Sequence, residues 1–120
     1  MEDSIFPKTL LIIGAGSEQV PAYEIAKRRG LTVVASDFSE VAPGVKYADH
    51  FLKVSTRDAE ATKEAALAFH SQHPIHGVMT IANDVPLTVA KVAEALGLRA
   101  ISVSAAQAAS HKLVMKNLFL

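Results

Sequence analysis

A chain of 120 residues can hold one domain with a buried core and is too short for two. Half of its residues are apolar but only 6% are aromatic and none is Trp, so the core is built from Ala, Val, Leu and Ile, the usual filling of helices on a buried parallel sheet. Acids and bases balance at 12 each, which leaves no long-range field to gather nucleic acid or an anionic membrane, and the lack of Cys excludes disulfides, thiolate metal sites and a Cys nucleophile.

The chain opens on Glu2 and Asp3 where a signal peptide would have basic residues, and its apolar runs fall far short of the roughly 20 residues that span a bilayer. The expectation is a soluble, cytoplasmic protein. Thr9 to Ile13 is a continuous apolar run ending at Gly14 and reads as a strand buried on both faces. Pro21 to Arg29 follows as a helix, with Ala22, Ile25 and Ala26 on one face and Lys27, Arg28 and Arg29 outward. Pro21 suits a first turn, and Gly30 supplies the left-handed residue that ends the helix.

Leu31 to Ser36 is a second buried strand, leading to Asp37. Ser39 to Tyr47 contains Pro43 and Gly44 and reads as an irregular loop or one short helical turn. His50 to Val54 is a third strand. Thr56 is expected to cap a helix that runs to about Gln72, where Pro74 forbids continuation. Gly77 to Ala82 is the fourth strand. Asn83 or Asp84 caps the next helix, with Pro86 near its first turn and Val89, Val92, Ala93 and Leu96 along one face up to Gly97. Ala100 to Val103 makes a fifth strand. Ser104 and Gln107 have capping-box spacing for a small helix through Ala109, and Ser110 caps another from His111 to Leu120.

Strands alternating with helices imply a parallel, doubly wound α/β sheet in three layers, with right-handed crossovers and strand order 3-2-1-4-5. The last helix carries no C-terminal signal and ends on Leu118, Phe119 and Leu120, an apolar trio that needs cover. It either folds back onto its own domain or belongs to a chain that continues into another; the second reading is preferred. Zero net charge and a bare apolar helix are also compatible with a homodimer.

Ligands of open parallel sheets bind beyond the C-terminal strand ends where the winding reverses, here between the first and fourth strands. Gly14, Gly16, Ser17 and Glu18 leave the first strand, and Asn83 and Asp84 leave the fourth. Glycines allow a tight turn and close approach, and free N–H groups at a helix start attract phosphate or carboxylate. Asp37, leaving the second strand, is placed to accept from a hydroxyl or amine. The loop departs from the dinucleotide fingerprint because Gln19 stands where a third Gly belongs, although Asp37 lies at about the distance of that fingerprint's acid. Against these readings, the glycines could be a mere turn, Asp37 a loop carboxylate, and Asn83 or Asp84 only a helix cap.

His70, His73 and His76 are evenly spaced, but Pro74 breaks the helix between them, so no metal site is expected. No G-x-S-x-G elbow surrounds Ser17. Lys112 and Lys116 share a helix face, either as solvated charges or as mobile cations suited to a nucleotide phosphate.

The units LLIIGAGSEQ, ASD after the second strand, PGVKYADHFLKV, IAND after the fourth strand and SAAQAASHKLVMKNLF together resemble the N-terminal, Rossmann-like domain of the ATP-grasp enzymes. That superfamily includes carboxylate-amine ligases of purine synthesis, biotin carboxylase and the carbamoyl-phosphate synthase large subunit. The resemblance implies a pre-ATP-grasp domain over residues 1–110, with 111–120 beginning the connection to an ATP-grasp domain beyond. It also implies that Gly14, Gly16, Ser17, Glu18, Asn83 and Asp84 help hold a small-molecule acceptor. ATP and magnesium belong to the later subdomains, where a carboxylate is activated as an acyl phosphate and attacked by an amine or other nucleophile. Lys112 matches the family's nucleotide-contacting Lys, and His111 stands where Asp is usual. The remaining ATP-grasp domains are thus the implied partners, and this part by itself is expected neither to hydrolyse nor to ligate. Two other readings stay open: a nicotinamide-dinucleotide domain of an oxidoreductase, and a stand-alone small-molecule-binding module.

Overall fold

The computed structural model describes residues 8–81, 86–98 and 100–102. Five parallel strands lie in the order β3-β2-β1-β4-β5: β1 (Thr9–Ile13), β2 (Thr32–Asp37), β3 (His50–Lys53), β4 (Gly77–Thr80) and β5 (Ala100–Ser102). Three helices connect them: α1 (Val20–Arg28), α2 (Ala59–His70) and α3 (Pro86–Leu96). This is the expected doubly wound sheet. Winding runs outward from β1 through β2 to β3, then returns to the other side of β1 for β4.

Every residue of β1 is buried. A strand with helices over both faces has no polar side to show, so five apolar-compatible residues in a row replace the alternation of a half-exposed strand. Its even and odd residues feed separate cores. Leu10 and Ile12 pack with Ala22, Tyr23, Ile25 and Ala26 of α1, together with Val33, Ala35 and Met79. Leu11 and Ile13 pack on the other face with Val34, Ala66, Val78, Val89, Val92 and Ala93, beneath α2 and α3. The two cores make the three layers.

Helix ends follow local chemistry, with two departures from expectation. α1 begins one residue early, at Val20, because a short 3₁₀ turn over Ser17–Gln19 leads straight into it; Pro21 still falls in the first turn. Gly30 (φ +78) follows that helix in the left-handed conformation that a Cβ disfavours. The N-cap of α2 is Asp58, whose carboxylate accepts from the Ala61 N–H at 2.9 Å, and not Thr56. Thr56 serves tertiary structure instead, its carbonyl accepting from the Thr88 hydroxyl of α3 at 2.7 Å. The Ser39–Tyr47 stretch holds one short 3₁₀ turn, Val45–Tyr47. Among the described residues no helix is long and apolar enough to cross a membrane. The expected caps at Asn83 or Asp84 and the two expected helices after Val103 lie outside the described residues.

Candidate functional site

Because β1 pairs with both β2 and β4, the loop after β1 leaves the sheet beside the ends of those two strands. Gly14 turns the chain with φ +98, a conformation open to glycine and costly for L side chains. Its N–H still donates to the Ser36 carbonyl of β2 at 2.8 Å. Its carbonyl accepts at 2.8 Å from the hydroxyl of Tyr23, a fully buried residue of α1. Ala15 is held equally firmly. Its N–H donates to Asp37 Oδ2 at 2.9 Å, and its carbonyl accepts from the Gly44 N–H at 2.7 Å. A Cβ on Gly44 would stand 2.8 Å from the Tyr23 ring and 3.1 Å from the Ala15 carbonyl oxygen, so only glycine lets this segment come so close.

Beyond Ala15 the loop changes character. Gly16 is extended (φ −68, ψ 175) and precedes the 3₁₀ turn, while Ser17 and Glu18 are exposed. Among the described residues nothing accepts from the N–H groups of Gly16, Ser17 and Glu18. The Glu18 carboxylate folds back over Gly16, with one oxygen 3.0 Å from where a Cβ there would lie. The loop therefore has an anchored half, Gly14 and Ala15, and an open half, Gly16 to Glu18.

Gln19 closes the loop and is only 1% exposed. Its side-chain amide donates to Thr80 Oγ1 at 3.2 Å and its Oε1 accepts from the Ile81 N–H at 3.0 Å. Thr80 Oγ1 in turn donates to the Ile13 carbonyl at 2.8 Å. One buried side chain thus ties the glycine loop to the exit of β4. It occupies the space under the loop that a third glycine would leave open.

Asp37 reaches the loop, as expected from its place after β2, but its oxygens already serve the backbone: Oδ2 takes Ala15 N–H and Oδ1 takes Ser39 N–H at 3.0 Å. Burial pushes the Tyr23 hydroxyl well above the usual phenol range, and the negative charge of Asp37 pushes it further, so this group is a fixed donor to Gly14. Past β2 the chain exposes Phe38 and Val41, and the Lys53 ammonium lies 5.9 Å from the Phe38 ring centroid.

The structure brings Gly14, Gly16, Ser17, Glu18 and Asp37 together. Asn83, Asp84 and Lys112 lie outside the described residues. Sequence reasoning missed Tyr23, Gly44 and the bridging role of Gln19. A signal existed for Gln19: with Ala22, Tyr23 and Ala26 it occupies one helical stripe, and a polar residue on an apolar stripe needs buried partners. The histidines do not converge. His76 Nδ1 accepts from Thr9 N–H and His70 Nδ1 from Ile75 N–H, while His73 stacks on Phe69. Among the described residues no three His, Asp or Glu are grouped to hold a metal.

A family model described as the ATP-grasp N-terminal domain matches residues 23–98, a span that begins just after the glycine loop. Solved structures share the fold. Phosphoribosylglycinamide synthetase from Anaerococcus prevotii aligns with a TM-score of 0.66 and 22% identity, over 78% of this chain and 23% of that one. L-amino acid ligase from Bacillus licheniformis aligns at 0.66 and 24%, over 92% and 30%. N5-carboxyaminoimidazole synthetase from Staphylococcus aureus aligns at 0.60 and 20%, over 80% and 24%. The chain thus spans under a third of the length of these ligases. No curated protein matches it in sequence.

Proposed function

The chain belongs to the ATP-grasp N-terminal domain family, and from that premise we propose that it is the substrate-side domain of an ATP-dependent ligase. The observation that carries this reading is the loop after β1. It sits at the reversal of winding beside the end of β4, its first two residues immobilised and the N–H groups of Gly16, Ser17 and Glu18 open. Such a loop presents fixed dipoles to a carboxylate or phosphate of a small acceptor molecule. Asn83 and Asp84, which follow β4 in the chain, are proposed to complete the crevice.

Within this reading the reaction joins a carboxylate, activated as an acyl phosphate, to an amine or other nucleophile. The described residues do not fit a magnesium–nucleotide site: no three potential ligands are gathered, and phosphoryl transfer needs metal and cationic clamps. In this reading ATP and magnesium belong to other parts of the ligase, with Lys112 as this chain's contribution. What these residues contribute is positioning. Tyr23, Asp37 and Gly44 hold the loop so that its open amides meet the ligand already oriented.

Calorimetric titration of the 120-residue chain with ATP, NAD and NADP, with a phosphate-release assay, tests the reading. No tight binding of any of the three and no turnover are expected. Tight NAD binding would instead favour a nicotinamide-dinucleotide domain, and ATP turnover free of contaminants would contradict inactivity of this part alone. An open reading frame continuing some two hundred residues past Leu120, with glycine-rich and Glu/Asn metal motifs, supports the ligase; a stop codon there favours a stand-alone binding module.

A further inference from the structure

The strands are parallel, so the residues that begin β1, β3 and β4 share the sheet edge opposite the glycine loop. Four histidines lie at that end of the sheet, near the start of β3 and along the turn that joins α2 to β4. Two of them hold backbone. The Thr9 N–H, which opens β1, donates to His76 Nδ1 at 2.9 Å, while the His76 N–H donates back to the Thr9 carbonyl at 2.8 Å. The N–H of Ile75, a residue only 2% exposed, donates to His70 Nδ1 at 2.9 Å. The other two, His50 and His73, pack ring to ring at 5.2 Å beside Phe69, and among the described residues neither accepts a backbone amide.

An imidazole nitrogen accepts a hydrogen bond only through its lone pair, so His70 and His76 carry their proton on Nε2 in this arrangement. A second proton turns each acceptor into a donor facing a donor, and the bond is lost. We propose that these two imidazoles form an acid-sensitive fastening: proton uptake releases the amides of Thr9 and Ile75 and loosens the start of β1 and the α2–β4 turn, while the crevice end of the sheet stays in place.

The charged groups around His76 act in the same direction. Partial burial is the largest influence lowering its pKa below the ordinary value, followed by Lys8 from the segment before β1 and His70 from the end of α2. Asp49, the carboxylate at this edge, pairs with Lys27 at 2.8 Å. Because the folded value of His76 is depressed, the unfolded chain binds more protons in the window below the usual histidine range. The contribution is complete above that range and is lost as pH falls through the folded value.

Amide hydrogen exchange followed by NMR between about pH 7.5 and about pH 5.5, corrected for intrinsic rates, reads the two bonds directly. Protection at Thr9 and Ile75 is expected to fall on acidification, while Leu11 and Val78 hold theirs. In the double variant His70→Asn/His76→Asn the side-chain oxygen takes the place of Nδ1 and does not titrate, so the fall should vanish; in His73→Asn it should persist. Unchanged protection in the wild type, or a wild-type fall in the double variant, overturns the proposal. If the double variant does not fold, imidazole ¹⁵N shifts of the wild type decide: Nε2–H tautomers at both rings support the fastening, and a neutral Nδ1–H tautomer at either overturns it.

Discussion

Replacing Gln19 by Leu removes the strut between the glycine loop and β4 while keeping a side chain of similar reach. Two buried interactions go. The Ile81 N–H loses its acceptor in a position where Ile81 is 1% exposed, and an unsatisfied buried donor costs about 1–3 kcal/mol. Thr80 Oγ1 loses a donor at 3.2 Å but keeps its bond to the Ile13 carbonyl, so that loss adds only about 0.5–1 kcal/mol. The sum, about 1.5–4 kcal/mol, is a large share of the roughly 5–15 kcal/mol that holds a domain folded. Urea unfolding followed by circular dichroism should show a lower midpoint with an unchanged slope. The variant Gln19→Glu sharpens the test. Protonated, it can accept from Ile81 and donate to Thr80, whereas ionised it is a buried charge whose folded pKa is raised. Its stability should therefore be near wild type at about pH 4 and fall as pH rises through that raised value. A Gln19→Leu protein within about 0.5 kcal/mol of wild type, the scatter of ordinary surface changes, would refute the strut.

Three further outcomes follow from the same atoms. Gly44→Ala puts a methyl 2.8 Å from the Tyr23 ring and 3.1 Å from the Ala15 carbonyl oxygen, so the segment must back away; thermal unfolding should register a loss of about 1–3 kcal/mol, and a neutral result would mean the segment has slack. Asp37→Asn leaves one acceptor oxygen for the two backbone N–H groups of Ala15 and Ser39, and should cost about 1–2 kcal/mol with amide shift changes centred on Ala15. Asp49→Asn removes a charge paired with Lys27 at 2.8 Å. Burial works against ionisation there, but the Lys27 and Val33 hydrogen bonds and the nearby positive charges outweigh it and hold the carboxyl below its usual range. Since that pair is over a third exposed, the loss should be under about 1 kcal/mol at neutral pH, and it should disappear in acid as the wild-type carboxylate is itself protonated.

The extent to which the chain was readable divides along the range of the interactions. β1 is legible to the residue because its signal is local: five residues fit for burial on both faces, then a glycine. The cap of α2 is not legible to the residue, because Thr56 and Asp58 are both good caps, and it is the Asp58 carboxylate that accepts from the Ala61 N–H. The glycine turn and the position of Asp37 are equally local. The partners of Asp37 are not, since only the β1–β2 register, which sets Ile13 beside Ser36, brings its carboxylate to the Ala15 N–H. Tyr23 and Gly44 were invisible for the same reason. Their contact needs the segment after β2 to cross back over the start of α1, and nothing in either stretch announces the other.

The division of the loop into an anchored and an open half bears on what can bind there. A ribose hydroxyl seeking Asp37 meets a carboxylate whose oxygens each hold a backbone N–H, and a new donor must compete with the bond that fixes Ala15. A pyrophosphate seeking the close helix–strand approach of a third glycine meets Gln19, wedged between the loop and β4. Both features work against a dinucleotide and leave the three open amides intact. Anchoring also limits the conformational entropy that a ligand would otherwise lose by ordering the loop, because Tyr23, Asp37 and Gly44 have already ordered it on folding. In the proposed reading, a small anion reaching Gly16 to Glu18 would meet donors held in position, and loosening any one anchor would weaken that encounter without removing a single ligand contact.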